Sequence, residues 1–147
     1  MTTMTMATRS GLLLTTTRGL TASGSVDGLW RGLACAGATT GAVVHLLLWA
    51  DGFRTIAWIG PLFLLDVVAG LVVGLAVVVL HHWLTALAVA LFGLGTLMAF
   101  QASVWFGLFD VHETWNGWPQ VTAGVGELVA LVGAVALLLT AWRQARA

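Results

Sequence analysis

Four apolar stretches, each long enough to cross a bilayer, occupy most of this chain and leave few folds open to it. They run over residues 29–50, 55–80, 83–109 and 121–142. A helix needs about 20 predominantly apolar residues to cross the hydrocarbon core, and every stretch reaches that length. Only 8% of the 147 residues are charged, against roughly a quarter in a soluble domain. So few charges cannot cover a globular surface in water, and lipid must be the solvent for much of the chain. The predicted fold is all-α: an integral membrane four-helix bundle over residues 28–147, preceded by a disordered tail over residues 1–27.

The tail is rich in Thr, Ser and Gly, carries Arg9 and Arg18, and has no acid before Asp27. Such a segment buries too little apolar surface to offset its ordering entropy. Its apolar run, Leu12–Leu14, is too short for the core of a signal peptide. Arginine among hydroxyls also fits a transit peptide, and Met4 and Met6 offer later start positions.

Composition excludes several roles. Net charge is zero, with six arginines and no lysine, so no basic field exists for nucleic acid. The lone Cys35 rules out an intrachain disulfide and a Cys-x-x-Cys site, and reads as a small packing residue. No Gly-x-Ser-x-Gly elbow, phosphate-binding loop or His-Glu-x-x-His motif is present. The Ala, Gly, Val, Leu and Arg bias without lysine fits a high-GC bacterial genome, hence a multi-pass protein of the bacterial inner membrane.

Tryptophans mark the interfaces. Trp30, Trp49, Trp58, Trp83, Trp105, Trp118 and Trp142 fall near stretch ends, where amphipathic indoles prefer the headgroup level. Pro119 suits a first helical turn, and Pro61 is expected to kink the second span. Arg9, Arg18 and Arg31 precede span one, and Arg143 and Arg146 follow span four. The positive-inside rule then places both termini in the cytoplasm and the first and third loops outside.

Each span carries one strongly polar residue: His45, Asp66, Gln101 and Glu127. Such groups are costly in lipid and normally face a bundle interior or a cavity. At 1.5 Å rise per residue they lie roughly 8 Å (His45), 10 to 12 Å (Glu127 and Gln101) and 15 Å (Asp66) below the outer ends of their spans. His45 shares a face with Gly41 and Gly37, Asp66 with Gly70 and Gly74, and Glu127 with Ala123, Ala130 and Ala134. Small residues mark the packed side of membrane helices, so these three should point inward. Gln101 shares its face with Gly93 and Met98 but also Leu97.

Several uses of that cluster are open. The first is structural: hydrogen bonds across helices fix register, each contributing about 0.6 kcal/mol on average. The protein would then be a non-catalytic accessory subunit. The second is proton or cation handling by Asp66 and Glu127. The third is metal binding by His45 with Glu127 or Asp66, and Met98 as a further ligand. Haem is disfavoured, because a bis-histidine site needs two inward histidines at matching depth and only His45 lies well inside a span. Whether another cofactor is bound is left open by the sequence. His81-His82 reads as interfacial, although adjacent histidines can bind a surface metal or sense pH. Asp110-Val111-His112-Glu113 reads as a solvated loop. Trp115-Asn116-Gly117-Trp118-Pro119 forms a rigid aromatic turn suited to capping the bundle mouth or meeting a partner.

The order His45-Leu46, then Trp58-Ile59-Gly60-Pro61-Leu62-Phe63-Leu64-Leu65, then Glu127 resembles a group of uncharacterised small four-helix membrane proteins of actinobacterial type, over residues 40–142. The resemblance implies the four-helix fold and carries no activity with it. Asp66 departs from the pattern, which has another polar or a small residue there. The two hairpins share direction and a polar residue per helix, compatible with a parallel repeat. Expected partners are the lipid bilayer and another membrane subunit or a second copy of the chain.

Overall fold

The computed structural model describes residues 9–146, with side-chain surroundings given from Gly24 onward, Ser25 excepted. Its four helices are α1 (Arg9–Ala50), α2 (Ile59–Val79), α3 (Trp83–Phe106) and α4 (Trp118–Gln144), with a 3-10 turn at Phe53–Thr55. The portions long and apolar enough to cross a membrane are Val26–Ala50, Ile59–Val79, Trp83–Phe106 and Trp118–Gln144. The expected tail falls partly on residues 1–8, which lie outside the described residues, and partly on the first turns of α1.

α1 is the central helix. It packs along α4 and α2, α3 packs on α4, α2 and α3 form the loosest neighbouring pair, and α1 barely touches α3. Small residues explain the tight seams. A Cβ on Gly37 would collide with the backbone of Gly126 and Ala130, and one on Gly133 would lie 2.8 Å from the Ala34 nitrogen. Across the other seam, a Cβ on Gly70 would lie 3.1 Å from the Ala38 oxygen. With little hydrophobic drive between helices in lipid, such close backbone approach and the dispersion contacts it allows hold the bundle together. Ala34, Ala38, Ala130 and Ala134 fill these seams, and all four are fully buried.

The start of α2 and the end of α3 differ from the sequence expectation. Span two was expected from residue 55, with a kink at Pro61. Instead α2 starts at Ile59 after Trp58, whose φ is +67°. Pro61 thus sits in the first turn, where its missing N–H has no helical partner to lose, and no kink is required. Span three was expected to reach residue 109, but Gly107 adopts φ +73° and ends α3 at Phe106. Phe109 and Asp110 follow at φ +52° and +64°, inside a tight turn closed by Leu108 and Val111, each donating to the other's carbonyl at 2.9 and 3.0 Å. Positive φ at both central residues is the type I′ signature.

At the opposite end, between α2 and α3, His82 acts as N-cap: its Nδ1 accepts from the Leu84 amide at 3.2 Å. The Arg31 guanidinium reaches from α1 to the end of α2, donating to the Val77 carbonyl at 2.6 Å. A cation there satisfies an orphan carbonyl and complements the helix dipole.

Candidate functional site, a polar cluster beside a lateral cavity

One helical turn from Gly41 on α1, and one from Gly70 on α2, stands a polar side chain. His45 follows Gly41 by four residues on α1, and Asp66 precedes Gly70 by four on α2. Residues three or four apart share a face; Gly70 packs on Ala42 of α1, three residues before His45, so the contact that brings α1 and α2 together also brings these two side chains together. His45 Nδ1 lies 3.0 Å from Asp66 Oδ2 and 2.9 Å from the Gly41 carbonyl oxygen. Both neighbours are acceptors, so Nδ1 carries the proton and donates. The hydrogen bond runs to Gly41, and Asp66 Oδ2, although in ion-pair range, is buried without a directed hydrogen bond of its own. Because α2 starts at Ile59, Asp66 stands about 10 Å below the helix start, level with His45. Phe63 meets the imidazole edge-on with centroids 5.0 Å apart, and Phe53 stacks on Phe63 at 4.9 Å.

Glu127 approaches from α4 and is almost completely buried. It lies over the bare face of Gly41, where a Cβ would stand 3.8 Å from Glu127 Oε1. Its carboxylate therefore sits beside the residue that holds His45, within electrostatic reach of both His45 and Asp66. Thr96 of α3 lies beside the same carboxylate, while its hydroxyl is 3.1 Å from the carbonyls of Phe92 and Gly93. The cluster thus joins α1, α2 and α4 at one depth, with a hydroxyl from α3.

Gln101 does not join it. It is half-buried, lines no part of the adjoining cavity, and stands about 140° around α3 from Thr96, five residues away. The α3 stripe that faces the bundle runs through Gly93, Thr96, Phe100 and Ser103, a spacing of three and four residues. That stripe is the signal that could have identified Thr96 and Ser103 in place of Gln101. Met98, suggested as a metal ligand, is 63% exposed on the outside of α3. Among the described residues no three His, Cys, Asp or Glu side chains come together as a metal-holding group. His45, Asp66 and Glu127 are neighbours, yet they do not converge on one point.

The α3–α4 loop is more than a solvated connection. Ser103 donates to the Val111 carbonyl at 2.7 Å, Gln120 donates from Nε2 to Glu113 Oε2 at 3.2 Å, and Trp115 meets Phe100 edge-on at 4.4 Å. Glu113 turns inward and, with Val111 and Gln120, covers one end of a cavity of about 370 Å3 between α2 and α3. His45, Asp66 and Thr96 line the same cavity. His112 stays exposed.

Compared with family models, curated proteins and solved structures, the chain matches none.

Proposed function

We propose that this protein is a non-catalytic component of the membrane, an accessory or structural subunit that works by docking another membrane helix. The observation that carries this reading is an unoccupied stripe on α1. Gly24, Gly28, Gly32 and Ala36 recur every four residues and are all exposed, and among the described residues a Cβ on any of the three glycines would meet nothing within 4 Å. The same spacing, repeated at Gly37 and Gly41, is consumed inside the bundle; this second copy faces outward. Small-xxx-small stripes let membrane helices approach closely. The polar cluster suits the role, since a bundle with His45, Asp66 and Glu127 in register presents a fixed outer face. The arginine distribution supports a bacterial inner-membrane setting with both termini cytoplasmic, which puts the stripe in the cytoplasmic half of α1. The partner is another membrane chain or a second copy of this one.

The test is to purify the full chain in detergent and measure the mass of the complex and the identity of co-purifying chains. A stoichiometric second chain or a homodimer is expected, and it should disappear in Gly28→Leu/Gly32→Leu, whose side chains enter open space and leave the bundle intact. A lone monomer in the native protein, or a complex that survives both leucines, overturns the proposal.

Ion handling is the second reading, supported by the position of the His45–Asp66 pair on the wall of a cavity. In liposomes, Asp66→Asn and Glu127→Gln should then abolish proton or cation flux. Equal flux in both variants and the native chain removes it.

A further inference from the structure

The cavity has two kinds of wall. Its sides are apolar, formed by Leu62 and Phe63 of α2 and by Phe92 and Phe100 of α3. Its polar groups are concentrated where α1 and α2 meet and beneath the α3–α4 loop. About 370 Å3 lies within the range of small-molecule sites, which combine an apolar lining with a few convergent polar groups.

Those polar groups are short of donors. Asp66 Oδ2 and Gln120 Oε1 are both buried acceptors without a hydrogen-bond partner among the described residues, and both residues line the cavity. A buried acceptor left unmade is destabilising, so a ligand with donors would relieve a strain already present. Charge points the same way. Two acidic side chains, Asp66 and Glu127, stand beside a single imidazole there, so the polar end of the cavity favours a basic headgroup over an acidic one.

The mouth opens sideways. Leu65, Gly95 and Ala99 belong to the cavity lining and are also exposed on the outer surface of the bundle, along the seam where α2 and α3 are least closely packed. A ligand would reach the site from the acyl-chain region, so its body should be hydrocarbon.

We propose that this cavity is a binding site for a single-chain amphiphile with a primary ammonium headgroup. The ammonium pairs with the carboxylate of Asp66, a lining residue of the cavity, and the chain lies along Phe92 and Phe100 toward the α2–α3 seam. The site is independent of the α1 stripe and of any partner docked there.

Gly95 supplies a clean test, because a Cβ there would meet nothing within 4 Å; a phenylalanine can occupy the mouth without displacing a helix. The full chain is placed in phosphatidylcholine nanodiscs and photolabelled with dodecylamine carrying a mid-chain diazirine, and labelled residues are mapped by mass spectrometry. Labelling should concentrate on cavity-lining residues of α2 and α3. Decylamine should compete it away, and chain-matched decanoate and decanol should not. Asp66→Asn, by loss of one good polar contact, and Gly95→Phe, by filling the mouth, should each reduce it by about tenfold or more. Labelling spread over all lipid-facing surfaces, equal competition by decanoate or decanol, or undiminished labelling in Gly95→Phe would each overturn the proposal. Should Asp66→Asn lose its helical circular dichroism, the Gly95→Phe and competition results still decide the matter.

Discussion

Removal of His45 should cost more than removal of His45 and the Asp66 charge together. In the native chain, one imidazole Nδ1–H serves the Gly41 carbonyl at 2.9 Å and faces Asp66 Oδ2 at 3.0 Å. His45→Ala leaves Asp66 without its imidazole neighbour while Glu127 remains close by, so two acidic side chains share a low-dielectric site unaided. Breaking a buried pair from one side costs about 3–5 kcal/mol in soluble proteins. Interhelical polar contacts in membranes run lower, averaging about 0.6 and reaching about 1.7 kcal/mol. The cavity beside the pair softens its surroundings, so the single substitution is expected near 2 kcal/mol, between those limits. Asp66→Asn keeps the shape of the side chain and removes the charge, and should cost about 1 kcal/mol. The double variant His45→Ala/Asp66→Asn should recover about 1 kcal/mol relative to His45→Ala. Unfolding by sodium dodecyl sulfate in mixed micelles, followed by circular dichroism, measures all four proteins. Free energies that add within about 0.5 kcal/mol would mean the two groups are not coupled, and the polar cluster would lose its electrostatic basis.

Two glycines on one helix should answer the same substitution with opposite sign. Gly37→Ala drives a methyl into the α4 backbone and should destabilise by about 1–3 kcal/mol, whereas Gly28→Ala meets open space and should be neutral or stabilising by less than about 1 kcal/mol; the same detergent titration reads both. Arg31→Ala removes the donor to the Val77 carbonyl and should cost about 1.5–3 kcal/mol, the value of a charged hydrogen bond, with faster amide exchange in the last turn of α2. Gly107→Ala places a side chain at φ +73° against the His112 ring; it should cost about 1–2 kcal/mol, and limited proteolysis should begin to cut between residues 107 and 117.

How far the site could be read from sequence depends on what each helix packs against. On α1, α2 and α4 the polar residue shares its face with small residues, and in membranes small residues mark the contact side, so His45, Asp66 and Glu127 point where that pattern says. On α3 the guide fails. Gly95 is exposed and lines the open side of the cavity, Gly93 packs on α4 with its Cβ position 3.0 Å from the Glu127 carbonyl oxygen, and the inward stripe between them is built from Phe92, Thr96, Phe100 and Ser103. Aromatic side chains hold α3 away from α2 where glycines draw α1 close, so the same feature that hid the face of α3 also leaves the cavity. Gln101 has the polarity and the depth but an ambiguous face, shared with Gly93, Met98 and Leu97, while the smaller hydroxyls of Thr96 and Ser103 lie on the inward stripe. The loop was illegible for a different reason. Its closure depends on φ values above zero at Phe109 and Asp110, which neither residue type announces as glycine would, and on a serine eight residues before the carbonyl it binds. A contact of that kind exists only once α3 has ended at Gly107 and the chain has turned back over the cavity.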